Sequence, residues 1–190
     1  MDIISHTLWG WIYSKFANNN IKKKWNTKWT ILCSILPDLI SFIPLTIWII
    51  TSLFLGTLTF QKMSGIHPFD DQTIINSITN ILYSITHSLL IFLAVFFICW
   101  IIFKRPIFEL TGWLVHILID IPSHSIKFFA TPLLWPLSNI TYDGIAWANP
   151  IFLILNFSSI IICFILLRTK ALPSKSQHES QKSHLHESYP

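Results

Sequence analysis

Trp29-Thr-Ile-Leu-Cys-Ser-Ile-Leu-Pro37-Asp38-Leu-Ile-Ser-Phe-Ile-Pro44-Leu-Thr-Ile-Trp-Ile-Ile-Thr-Ser-Leu-Phe-Leu55 carries a single charged side chain, Asp38. A helix needs about 20 mostly apolar residues to cross the hydrocarbon core of a bilayer, and this run exceeds that. Two further runs reach a similar length, Ile81 to Phe103 and Pro150 to Leu167, and a shorter one extends from Ile107 to Pro122. The chain of 190 residues is 52% hydrophobic and 12% charged, with a mean hydropathy of +0.56. That balance excludes an ordinary soluble domain. The expected fold class is all-α: a polytopic membrane bundle of about four transmembrane helices. An N-terminal amphipathic or half-inserted helix, Ile3 to Ala17, would precede them. Residues 1–170 form one domain on this reading.

Lys and Arg sort the spans. Lys15, Lys22, Lys23, Lys24 and Lys28 precede the first run, Lys104 and Arg105 follow the second, and Arg168, Lys170, Lys175 and Lys182 follow the last. Only Lys62 and Lys127 fall in the remaining loops. With four crossings and both termini inside, the positive-inside rule is satisfied. The net charge of +4 is thus explained by topology, and no nucleic-acid partner is expected. The stretch 171–190 is rich in Ser, Gln, His and Lys and is expected to be a disordered cytoplasmic tail. Its His178, His184 and His186 read as solvated residues. Cys33, Cys99 and Cys163 sit in separate apolar runs, as small buried hydrophobes do, and no disulfide is expected.

Polar interruptions of the apolar runs carry the functional signal. In His116-Ile-Leu-Ile-Asp120-Ile-Pro-Ser-His124, positions i, i+4 and i+8 share one side of a helix. Pro122 is expected to end that helix near Ile121 and leave His124 at its mouth, nearer solvent. His6, Asp38 and His87 interrupt other apolar stretches. Taken singly, a histidine there reads as a hydrogen-bonded structural residue, and an aspartate after proline as a turn or cap. Two mid-span aspartates, however, cost roughly 2.5–3.5 kcal/mol each. No Lys or Arg lies inside a span to offset Asp38 and Asp120. A bound divalent cation held by Asp and neutral His, zinc for example, is the simplest partner; protonated carboxyls, acting as a proton relay, are the alternative. For Asp38 and His87 to meet, Pro37 and Pro44 are expected to break the first span close to Asp38. His67, Asp70 and Asp71 read as a turn and the acidic start of the next helix, outside the site.

The ordered set His6, Pro37-Asp38, Thr86-His87-Ser88, Gly112 and His116-x-x-x-Asp120 resembles the YdjM-like membrane-bound metal-dependent hydrolases. These are also described as LexA-binding, inner-membrane-associated hydrolases. Thr131 to Ser138 and the Asp143-Gly-Ile-Ala-Trp147 run resemble that family's downstream segments, and the likeness covers residues 1 to 157. The same order is more distantly similar to the zinc-dependent phospholipase C and single-strand nuclease group. The resemblance implies a multi-pass protein of the bacterial inner membrane, and the Lys and Arg distribution adds the N-in and C-in orientation. It further implies that Asp38, His87, His116 and Asp120 hold one metal, and that Asp120 bridges to a second bound by His6. In that group the second metal also uses the mature N-terminal amine. Met1 shows no sign of exposure by signal cleavage, so that position is left unfilled or served by Asp2. His124 is present but no downstream His-x-x-x-Glu pair follows, so one or two metals are expected rather than three.

The chemistry implied is hydrolysis, with a phosphoester as the leading substrate class and a lipid head group favoured by the membrane setting. Asp38 or Asp120 would accept the proton, and His124 would face the substrate or a second ion. Membrane lipids are the expected surroundings, and Trp9, Trp11, Trp135 and Trp147 are expected chiefly as interfacial anchors, with the lining of a lipid-access groove as the alternative. The alternative is a non-catalytic scaffold, regulator or small transporter using the same cluster structurally.

Overall fold

A computed structural model describes residues 1–21, 24–56 and 74–171. Among these residues there are six helices and no strand: α1 (Ile3–Asn20), α2 (Thr27–Phe54), α3 (Ile74–Thr86), α4 (Leu89–Phe103), α5 (Thr111–Ser123) and α6 (Pro150–Ala171). A short 3-10 turn, Phe108–Leu110, leads into α5. His67, Asp70, Asp71 and the tail beyond Ala171, with His178, His184 and His186, lie outside the described residues.

The candidate spans are fewer than the four expected crossings. Among the described residues two helices are long and apolar enough to cross a bilayer, α2 and the Pro150–Thr169 part of α6, or three if the bent pair of α3 and α4 is one span. The stretch expected as the fourth, α5, has only 13 residues, about 20 Å of helix against a core of about 30 Å. It is instead an inner helix packed against α2.

The helices are assembled inside out. α1 buries Ser5, His6, Gly10 and Ser14, and α2 buries Thr30, Ser34, Asp38 and Ser41. Ile4, Phe16, Ile43 and Ile50 point outward. In lipid an outward Ile costs nothing, whereas small inward residues let helices approach closely and hydrogen-bond. A Cβ on Gly10 would lie 2.2 Å from Ser34 Oγ, and one on Gly112 would lie 2.2 Å from the Thr30 carbonyl oxygen. α2 meets α1 and α5 nearly backbone to backbone.

These contacts fix the directions. Ser14 bonds Thr27 near one end of the α1–α2 pair, and His6 faces Asp38 further along, so the two helices are antiparallel. Tyr13 donates to Thr111, and Gly112 abuts Thr30, so α5 runs alongside α2 in the same sense. Ser5 meets Asn156, and Trp11 stacks on Phe164, so α1 and α6 are parallel. Lys15, Lys24, Lys28, Lys104, Arg105 and Arg168 therefore gather at one end of the bundle, while Lys127 stands apart.

The break lies in a different helix from the one expected. α2 continues through Pro37 and Pro44, supported by α1, α3 and α5 on its inner face. The second apolar run breaks instead at His87-Ser88, where α3 and α4 diverge by 59°. Ser88 caps α4, its hydroxyl accepting from Ile91 N–H and donating to the Trp135 carbonyl. Leu89 N–H donates to the Leu133 carbonyl. The loop after α5 thus supplies acceptors beside the break, which membrane-embedded backbone requires.

Candidate metal centre

Three helices and one helix break deliver the cluster. α1 contributes His6, α2 contributes Asp38, the α3–α4 break contributes His87, and α5 contributes His116 and Asp120. His87, His116 and Asp120 are 0% exposed, His6 is 1%, His124 3% and Asp38 5%. One ligand atom each from Asp38, His87, His116 and Asp120 can be chosen so that all lie within 4.8 Å of one another. Asp120 is central: its carboxylate stands 3.1 Å from His6 Nε2, 3.3 Å from His87 Nε2 and 3.2 Å from His116 Nε2. Asp38 lies 3.4 Å from His87, and 3.7 Å from both His6 and His116.

The proton positions give this geometry its meaning. His116 Nδ1 is 2.7 Å from the Ser34 carbonyl, and His87 Nδ1 is 3.1 Å from the Tyr83 carbonyl. A carbonyl only accepts, so each Nδ1 carries a proton, and in the neutral ring each Nε2 then presents a lone pair. Those two Nε2 atoms face each other at 3.0 Å. Lone pairs also meet the carboxylates, and Asp38 Oδ1, Asp120 Oδ2 and both nitrogens of His6 have no hydrogen-bond partner despite full burial. With neutral rings these nitrogens and oxygens repel unless a proton or a cation sits among them, and the Met1 amine reaches only Asp120 Oδ1. The buried Asp38, His87, His116 and Asp120 group could hold a metal ion, and its second layer of carbonyls fixes the tautomers that ligation needs.

His124 departs from expectation. α5 continues through Pro122 to Ser123, and His124, in extended backbone, turns its ring inward. It is buried, not solvent-facing, with Nε2 3.6 Å from Asp120 Oδ1 and Nδ1 donating to the Phe129 carbonyl at 2.8 Å. Asp2 does not serve the cluster: its carboxylate caps α1, accepting from Ser5 N–H and Ser5 Oγ. The Met1 amine occupies that place, 2.6 Å from Asp120 Oδ1 and beside His124 Nε2.

Residue-type reasoning missed the orienting groups because most are main-chain carbonyls, of Ser34, Tyr83 and Phe129, which no side chain announces. Asn156 did carry a signal, as an amide inside an apolar run. It donates to Ser5 and accepts from Trp9, tying α6 to the start of α1.

Compared with known families, residues 1–184 match the YdjM inner membrane protein family. The chain belongs to that family. Comparison with curated proteins and with solved structures returned no match. The YdjM description carries the membrane setting, in agreement with the apolar helices, and says nothing of hydrolysis or of a particular metal.

Proposed function

We propose that this YdjM protein is a membrane-bound metal-dependent hydrolase acting on a phosphoester, with a lipid phosphoester favoured by the setting. The observation that carries the reading is the pair of opposed Nε2 lone pairs of His87 and His116, 3.0 Å apart beside two buried carboxylates. Asp38, His87, His116 and Asp120 would hold one ion, zinc by its taste for this donor set. His6, with the far side of Asp120, would serve a second. An ion there supplies Lewis acidity and a water acidified toward a pKa of about 7. Asp38 or Asp120, through a carboxylate oxygen not committed to the ion, would receive that proton. Asp120 and the Ser34 and Tyr83 carbonyls hold the imidazoles in register, and Phe129 and Tyr83 close the cluster behind His124.

The test is metal analysis of detergent-purified protein together with hydrolysis of a water-soluble phosphodiester. Bound metal near one or two equivalents, and turnover lost to chelator and restored by zinc, is the expected result. Folded protein that binds no metal would leave a non-catalytic scaffold or transporter as the reading. His124→Ala is expected to lower turnover while retaining most of one equivalent of metal, because its nitrogen lies outside the four-ligand group. Equal loss of metal in His124→Ala and Asp120→Ala would make His124 a ligand of the main ion.

The same proposal sets the basic end of the bundle in the cytoplasm, with Asn20 and Arg168 both on that side. Reporter fusions after Arg105 and after Lys170 are expected to be cytoplasmic and one after Leu55 is not. A cytoplasmic reporter after Leu55 would refute this orientation.

A further inference from the structure

An apolar groove of about 590 Å³ opens directly onto the cluster. Its inner end is walled by Met1, Asp38 and His124, and from there it follows α2 past Leu39, Phe42, Ile43, Thr46 and Ile47. From Asp38 to Ile47 the helix rises about 14 Å. Trp147 closes one side, so of the four tryptophans expected as anchors this one lines the groove. Beyond the cluster the polar lining is the Asp2 carboxylate, which Ser5 engages, and the Thr46 hydroxyl, so along α2 the groove offers little to a sugar, a peptide or a nucleotide base.

A polar, cation-competent end continuous with an open apolar trough along the outward side of α2 suits an amphiphile. We infer that the groove along α2 is the subsite for the hydrocarbon chain of an amphiphilic phosphoester whose polar end is at the Asp38–Asp120 cluster. The inference rests on the hydrolase reading for the polar end and on the groove alone for the chain. Each methylene moved out of water is worth about 0.8 kcal/mol, which makes chain length a sensitive readout even after membrane partition takes its share. Thr46 and Ile47, at the far end, limit how much chain is held.

Non-hydrolysable ethyl- and tetradecylphosphonate are the probes, titrated calorimetrically into zinc-loaded protein in phosphatidylcholine nanodiscs. Wild type is compared with Thr46→Trp, which fills the trough, and with Ile50→Trp, an exposed position of α2 that does not line it. Partition into the disc is common to all three. The ratio of long-chain to short-chain affinity is expected to fall at least about tenfold in Thr46→Trp and to stay at the wild-type value in Ile50→Trp. An equal ratio in all three proteins, an equal fall in both variants, or no phosphonate binding at all overturns the inference. Turnover of the soluble phosphodiester by wild type is scored separately. Its absence removes the hydrolase reading without touching the ratio, and its presence with an unchanged ratio removes the chain subsite alone.

Discussion

Asp120→Ala is expected to purify with less than about a tenth of the wild-type metal and to melt well below wild type. The carboxylate touches three imidazoles and the Met1 amine and is fully buried. Truncation removes a ligand and also strands the amine, a buried cation with no other carboxylate within ion-pair distance among the described residues. Breaking a buried ion pair from one side costs about 3–5 kcal/mol, a large share of a typical stability of about 5–15 kcal/mol. Asp120→Asn keeps the shape and one oxygen, so it separates the two effects: it should lose metal with a smaller drop in melting temperature. Inductively coupled plasma mass spectrometry on the three proteins, with thermal melts, checks both statements. Wild-type metal content in Asp120→Ala would show that the cluster is not a metal site built on this residue.

Gly112→Ala is the second large effect. The added methyl would sit 2.2 Å from the Thr30 carbonyl oxygen, 3.1 Å from its carbon and 3.3 Å from Ser34 N. All three are α2 backbone, so no side chain can swing aside and the helices themselves must separate. Alanine in a helix gains about 1 kcal/mol over glycine, while overpacking costs about 1–3 kcal/mol and more against backbone. The clash wins. Because the same α2–α5 contact sets His116 Nδ1 on the Ser34 carbonyl, metal affinity should fall along with thermal stability. A melt unchanged within a degree or so and full metal occupancy would show that α2 and α5 have slack that their spacing denies.

The residues that meet in the cluster are ones the sequence marks plainly, because a His or Asp in an apolar run is costly and so conspicuous. Apolar length also announced α2 and α6. What stayed hidden depended on neighbours distant in sequence. Proline chemistry argued for a break at Asp38, yet α2 is packed on three helices there and runs on. The break at His87-Ser88 depends on carbonyls of Leu133 and Trp135 across the fold. His124 looked solvent-facing because Pro122 reads as a stop, but the Phe129 carbonyl draws its ring inward. The short α5 looked like a crossing because burial against α2 and burial in lipid select the same residue types.

That hold of the later loop on the His87 break bears on the order of biogenesis. Asp38 and His87 leave the ribosome well before Asp120, and the acceptors at residues 133 and 135 come later still. Insertion must therefore carry Asp38 into the membrane with His6 alone of its eventual partners made, at roughly 2.5–3.5 kcal/mol. The surrounding apolar face of α2 has to bear that cost by itself. The His87 break is complete only once the chain past Trp135 has docked, so the proposed ion would meet its full ligand set only after most of the protein has been made.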